Sequence, residues 1–246
     1  MPVFLLPPQN LTPPHVSITG ELLTHIRDSL RVRAGEQLLV GDGAGRRYRI
    51  EVTAVAKKAV TGRILESMEQ PARTTPSLIL GQALLKGDKM DWVIQKATEL
   101  GVATVLPVQT RHSVVQPKAD RIEAQVARWQ RIALEAAQQS ERWIVSAVGA
   151  PQTVPALCAT AKQTLRIILT ERRETGAKID DLTWPTAPEA SVAVLVGPEG
   201  GWSEEEIVVA EQAGFCLVTL GPTILRAETA AIAAIAILQQ KLGALN

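Results

Sequence analysis

The sequence predicts an α/β protein with a mostly parallel sheet, preceded by a small β-barrel-like domain. Three observations carry that expectation. From residue 77 onward, short apolar runs alternate with helical stretches, the pattern of strands and helices in turn. The first 70 or so residues differ: β-prone runs are broken there by turn residues. Between the two lies Gln70-Pro71-Ala72-Arg73-Thr74-Thr75-Pro76, with two prolines and no periodicity. The boundaries drawn from this are 1–70 for the small domain, 71–76 for a linker and 77–246 for the larger domain.

In chain order, one short helix is placed near Glu21–Arg31. Gln37–Val40 and Tyr48–Val52 flank the glycine-rich pentad Gly41–Gly45, a hairpin signal. A third β run, Ala59–Leu65, follows Lys57-Lys58 and completes a barrel-like set. Ser77–Leu85 is an apolar strand. Asp88–Leu100 places Met90, Val93, Ile94 and Ala97 on one helical face and stops at Gly101. Val102–Val108 is a strand, Ala119–Ser140 a long amphipathic helix, and Pro155–Gln163 a shorter helix. Leu165–Leu169 and Ser191–Val196 are short apolar strands. Ser203, with Glu206 three residues on, forms a capping box that opens a helix ended by Gly214. Phe215–Leu220 is a strand and Glu228–Leu242 the last helix. Its stretch Ala230–Leu238 is small or apolar on more than one face, and a helix apolar all round is a buried one, under the rest of the chain or under a second subunit. Such alternation implies a sheet covered on both faces.

Composition excludes several classes. At 46% hydrophobic and 21% charged, the 246 residues supply a sizeable core. A net charge of +1 gives no whole-chain field, so a nucleic-acid partner would need a local basic patch. Cys158 and Cys216 sit in apolar stretches without a pairing pattern and read as reduced core residues of a cytosolic protein. The start, Met1–Pro8, has no basic n-region, and no apolar run reaches the ~20 residues of a membrane span. His15, His25 and His112 have no metal-ligand spacing with the cysteines and read as surface or loop residues, so no metal is expected.

Three turns follow three strands directly. Thr170-Glu171-Arg172-Arg173 follows Leu165–Leu169, Gly197–Gly201 follows Val192–Val196, and Gly221–Arg226 follows Phe215–Leu220. Ligands of open α/β sheets bind outside the carboxyl ends of strands, so the three turns are placed around one pocket. A phosphate loop would end in Gly-Lys-Ser/Thr, and none is present. Gly41, Gly43 and Gly45 have the wrong spacing for a dinucleotide fingerprint and precede a strand, and no Gly-x-Ser-x-Gly elbow occurs. Elimination leaves a nucleoside-like ligand held by backbone groups.

Leu195-Val196-Gly197-Pro198-Glu199-Gly200-Gly201-Trp202-Ser203 and Leu220–Ala230, which reads LGPTILRAETA, resemble the paired motifs of the ribosomal RNA small subunit methyltransferase E family. Lys86–Trp92, Gln95–Val102, Thr110–Val114, Arg128-Trp129 and Glu135–Ala137 resemble further stretches of it, so the likeness spans the chain. Two features depart from the family pattern. An acidic residue and a glycine are usual where Gln138-Gln139-Ser140-Glu141-Arg142 stands, and an early arginine is usual where Pro2-Val3-Phe4 stands. The resemblance implies a SPOUT-type domain with a carboxyl-terminal trefoil knot after a PUA-like RNA-binding module. It implies a cytoplasmic homodimer that moves a methyl group from S-adenosyl-L-methionine to N3 of a uridine in 16S ribosomal RNA of the small subunit. The alternatives are a SPOUT enzyme acting at another RNA position or a ribose 2′-hydroxyl, and a non-catalytic RNA-binding module.

On the same footing, the cofactor is assigned to Leu169, Thr170 and Glu171; to Val196, Gly197, Pro198, Glu199, Gly200 and Gly201; and to Leu220, Gly221, Ile224, Leu225, Arg226, Glu228, Thr229 and Ala230. Uracil N3 carries a proton, so the site must accept it or stabilise the anion. Arg226 is assigned the anion, because a guanidinium stays charged and cannot act as a base. Glu199 is assigned the proton, with Glu228 as the other candidate. A structural ion pair between Arg226 and Glu228, a solvated turn role for Glu199 and a helix-start role for Glu228 are the competing readings. Candidate RNA contacts are Arg46, Arg47, Arg49, Lys86, Lys89, Lys96, Arg111 and Arg142. Trp202 is the tryptophan best placed for base stacking, whereas Trp92 and Trp129 lie in helical patterns and read as core or interface.

Overall fold

A computed structural model describes residues 3–116, 119–171 and 176–245. The chain groups into two compact units, Met1–Ala72 with Ala137–Val145, and Arg73–Ala136 with Ser146–Asn246.

The first unit holds β1 (Val3–Leu5), β2 (Leu11–Thr12), β3 (His15–Ile18), α1 (Gly20–Thr24), β4 (Gln37–Gly41), β5 (Arg46–Val55) and β6 (Val60–Glu69). Its strand order is β1-β4-β5-β6-β3-β2, antiparallel throughout except for β1 beside β4. Alternation explains the core. Leu38, Val40, Tyr48, Ile50, Val52 and Val60 point inward, and Leu23 and Ile26 close over them. The hairpin turn falls where the glycine pentad predicts it. Strands β1 to β3 were not legible beforehand, because pieces of two to four residues carry no countable alternation.

Residues 137–145, left by periodicity in the carboxyl-terminal stretch, group with this unit. Gln138 Oε1 accepts from the Leu5 amide at 3.1 Å, and Val145 donates to the Gly43 carbonyl at 2.9 Å. The Arg47 guanidinium lies 4.0 Å over the Trp143 ring and donates to the Glu141 carbonyl. Glu141 itself has φ +52°, and the Arg142 amide reaches back to the Ala137 carbonyl at 2.8 Å. That is a left-handed helix cap, a conformation glycine adopts without strain.

The second unit holds β7 (Ser77–Ala83), α2 (Lys89–Glu99), β8 (Thr104–Gln109), α3 (Ile122–Gln139, its last residues counted with the first unit), β9 (Ala147–Val148), β10 (Gln152–Thr153), α4 (Val154–Thr160), β11 (Leu165–Leu169), β12 (Ser191–Val196), α5 (Glu204–Gln212), β13 (Cys216–Val218) and α6 (Ala227–Lys241). The sheet order is β10-β8-β7-β12-β11-β13, with β9 also on β8, and the pairings are parallel. Ala193, Leu195 and Ile168 face α4 and α5 in one core cluster with Leu157, Ile207 and Phe215. The alternate residues, Leu78, Leu80, Val192 and Val194, are buried on the opposite face, where α6 packs on β7, β12 and α2. No helix among the described residues is long and apolar enough to cross a membrane.

One expectation needs correction, and one is met only in part within a single chain. Cys216 is exposed rather than core, because it points away from the side on which its neighbours Phe215 and Leu217 are buried. Helix α6 is not covered all round. Ala231, Ala234, Ile235 and Leu238 are buried, but Ile237 is 39% exposed, and Ile232, Ala233 and Ala236 are only half-buried.

Candidate functional site

The carboxyl ends of β11, β12 and β13 open on a cavity of about 490 Å³, within the range of small-ligand sites. Its walls are the residues that follow those strands. Leu169, Thr170 and Glu171 come from the first turn. Val196, Gly197, Pro198, Glu199, Gly200, Gly201 and Trp202 come from the second. Leu220, Gly221, Thr223, Ile224, Leu225, Arg226, Ala227 and Ala230 come from the third, with Ile207 beneath. All the candidate cofactor residues except Glu228 and Thr229 therefore line one space. Trp202, Ile207, Thr223 and Ala227 also line it, without having been assigned there. Arg172 and Arg173, predicted in the first turn, lie outside the described residues.

The turn after β12 is held from three sides. The Trp202 indole donates to the Leu169 carbonyl at 2.8 Å, tying this turn to the end of β11. It lies so close to Gly197 that a Cβ there would sit 3.1 Å from Nε1. Trp202 is thus engaged as a strut, which leaves it no open face toward Gly197 for a base. His112 crosses on another side. A Cβ on Gly200 would meet His112 Cβ at 2.9 Å, and His112 Nδ1 is 3.2 Å from the Gly201 carbonyl. Since a carbonyl only accepts, Nδ1 is the protonated nitrogen of that contact. Close approach requires glycine at Gly200 and leaves Gly197 tight against the indole. Ser203 and Glu206 then form the predicted capping box, with bonds of 3.3 and 2.9 Å, and launch α5.

The third side is electrostatic. Lys89 Nζ stands 2.9 Å from Glu199 Oε1 and 3.3 Å from Glu228 Oε2. Hydrogen bonding to Glu199 raises the Lys89 pKa. Burial pushes the Glu199 carboxyl up, but the bonds from Lys89 and from its own backbone amide outweigh it and hold the pKa below its ordinary value. Glu228 pairs with Lys89, so the competing reading of an Arg226–Glu228 pair is not what the structure shows.

The turn after β13 is built differently. Gly221 has φ +129°, and Gly221, Pro222, Thr223 and Ile224 are exposed, Ile224 at 64%. Among the described residues, the amides of Gly221, Thr223, Ile224, Leu225 and Arg226 donate to no protein acceptor. Arg226 is the N-cap of α6 but makes no capping bond, and its guanidinium has no ion-pair partner among the described residues. The first-turn amides of α6 are thus open at the cavity, where Ala227 and Ala230 line it. Thr170 lines the same cavity, with its hydroxyl sealed from solvent and without a hydrogen-bond partner. Open amides at one cavity are groups that hold a polar ligand.

The basic candidates divide by state. Lys86 is exposed and acts on the Glu199 carboxyl from beyond ion-pair distance. Arg46 and Arg49 are exposed and 3.7 and 3.4 Å from Glu69 and Glu66. Arg111 pairs with Glu205 at 2.8 Å and Lys96 with Glu99 at 2.9 Å. Arg47 shares the strand face of Arg49, as alternation predicts, but the Glu141–Trp143 segment covers it to 9% exposure. Arg142 is half-buried, and desolvation lowers its pKa. His112 and the engagement of Lys89 went unread in the sequence, because both depend on contacts between segments far apart in the chain.

Residues 73–239 match the RNA methyltransferase domain family, and residues 18–65 match the RNA methyltransferase PUA domain. A relative from Synechocystis sp., named ribosomal RNA small subunit methyltransferase E, is 32% identical over 93% of this chain and 74% of its own. A protein of the same name from Neisseria gonorrhoeae, solved with S-adenosyl methionine bound, superposes with a TM-score of 0.84 at 33% identity over 98% of both chains. A putative methyltransferase from Legionella pneumophila, solved with its cofactor SAM, superposes with a TM-score of 0.85 at 31% identity over 97% of both chains.

Proposed function

Since the chain belongs to the ribosomal RNA small subunit methyltransferase E family, we propose that it transfers a methyl group from S-adenosyl-L-methionine to N3 of a uridine in 16S ribosomal RNA. The observation that carries this is the cavity where three strand-end turns meet, with open backbone amides, a buried unpaired Thr170 hydroxyl and an unpaired Arg226 on its walls. A nucleoside with a charged tail fits those groups in number and kind. When bound, the cofactor supplies an electrophilic methyl whose bond to sulfur breaks with the electron pair kept on sulfur as N3 forms the new bond.

The chain's own residues do the rest. Gly197, Gly200 and the amides of Gly221, Thr223, Ile224 and Leu225 let the backbone hold the adenosine, with Thr170 lining the same cavity. Arg226 stabilises the uracil anion that forms as N3 loses its proton. Glu199 receives that proton. Its pair with Lys89 keeps it unprotonated and also weakens it as a base. Transfer therefore draws on the anion held by Arg226 more than on the strength of the acceptor.

The amino-terminal unit, residues 1–70 in the sequence boundaries, supplies RNA affinity through Arg46 and Arg49, with Lys86 and Arg111 doing so in the methyltransferase domain, residues 77–246. A trefoil knot fits the path of the chain. β13 lies beyond β11 in the sheet, yet α6, only a short turn later, packs on β7 and β12. The uncovered stripe of α6 at Ile232, Ala236 and Ile237 supports a homodimer. Cytoplasmic residence follows from the substrate.

The test is labelled S-adenosylmethionine with small ribosomal subunits from a strain lacking the modification. Label in 16S RNA, recovered as N3-methyluridine, is the expected result. Binding of the cofactor without label on 16S RNA would move the reading to another RNA. No binding of the cofactor would sink it.

A further inference from the structure

We infer that Lys89 is a positioning residue of the cofactor site, one ammonium that joins the turn after β12 to the first turn of α6 and fixes the spacing of the two walls. The inference rests on the cofactor reading above and assigns Lys89 there rather than to RNA.

Lys89 opens α2, outside all three turns. Its Nζ reaches Glu199, on one wall of the cavity, and Glu228, which stands beside Ala227 on the other. Among the described residues it is the cation within ion-pair distance of either carboxylate, and Lys86 acts on Glu199 from farther away. Glu228 Oε2 is sealed from solvent and has no hydrogen bond besides that ion pair. A carboxylate oxygen out of reach of water depends on its counter-ion. Removing the ammonium therefore strands Glu228 and leaves two acids facing each other across the rim, where they repel. The walls move apart, and a ligand that must touch both binds less well. A lysine already engaged by two carboxylates is also poorly placed to neutralise a phosphate.

The experiment compares the full-length protein with Lys89→Met, Lys89→Arg, Glu228→Gln and the Lys89→Met/Glu228→Gln pair. Calorimetry gives the dissociation constant for S-adenosylmethionine, and steady-state kinetics gives KM for cofactor and for RNA. Lys89→Met is expected to weaken cofactor binding about tenfold and raise the cofactor KM in step, with RNA KM within about threefold. Lys89→Arg recovers most of the affinity. The double variant binds no worse than Lys89→Met alone, because Glu228→Gln removes the charge left stranded. Wild-type cofactor affinity in folded Lys89→Met would overturn the inference. So would a raised RNA KM with cofactor affinity unchanged, or additive losses in the double variant. If thermal melts show Lys89→Met unfolded, Glu228→Gln decides: about threefold weaker binding supports the clamp and unaltered binding overturns it. Failure of the wild-type protein to bind the cofactor would instead fall on the cofactor reading itself.

Discussion

The turns after β12 and β13 bound the same cavity and are held in opposite ways. The first is fixed by the Trp202 bond to Leu169, by His112 packed on Gly200, and by Lys89 on Glu199. The second is exposed from Gly221 to Ile224, with its amides open and Arg226 unpaired. The fixed wall comes preformed and sets where a ligand lies. The open wall has donors left to be satisfied, and a ligand completes it. A site for group transfer needs both, because alignment calls for a rigid reference and entry calls for a wall that yields.

Substitutions can break or sharpen this contrast. The largest effect is expected from Arg226→Ala on the open wall. Turnover should fall roughly 10²–10³-fold with cofactor affinity within about twofold, measured by single-turnover kinetics and calorimetry. A variant that loses cofactor binding instead would make Arg226 a binding residue. On the fixed wall, Gly200→Val places carbon against His112 and should cost roughly 1–3 kcal/mol in denaturant melts. Trp202→Phe, which keeps the ring and drops the bond to Leu169, should cost about 1 kcal/mol. Ile224→Ser on the open wall should change stability by less than about 0.5 kcal/mol. Equal costs on both walls would erase the distinction.

The smallest effect is a pH dependence. The folded pKa of Glu199 lies below its ordinary value. Its contribution is therefore complete above the ordinary carboxylate range and is lost as pH falls through the lower folded value. The melting-temperature gap between wild type and Glu199→Gln should be flat from about pH 8 to about pH 5 and close below about pH 4. A gap that closes near neutrality would mean the carboxyl is raised, and that Glu199 is a stronger base than its pair with Lys89 allows.

Much of the fold was legible because its signals are local. Strands β11 and β12 coincide with their apolar runs, and the Ser203–Glu206 box opens α5 as read. The convergence of the three turns followed from a rule about strand ends, and so was legible from element order alone. What escaped the sequence is what depends on distant segments meeting. Residues 137–145 join the first unit through Gln138 and Trp143, which nothing near them in the chain announces. Their cover over Arg47 is why a face predicted for RNA is partly closed. Glu141 at φ +52° accounts for one departure from the family pattern, since a glycine would take that cap without strain. Lys89 looked like a surface charge because its two acids lie about 110 and 139 residues away, beyond any local pattern.

Hydrogen exchange followed by mass spectrometry, with and without S-adenosylmethionine, tests the central claim most directly. Strong new protection is expected across the Leu220–Ala230 segment when cofactor is added. A smaller change is expected in the Gly197–Ser203 segment, where the Gly201 and Ser203 amides already donate within the protein. Protection rising equally in both segments would contradict a preformed wall facing an open one, and no change in either would contradict the cavity as the cofactor's site.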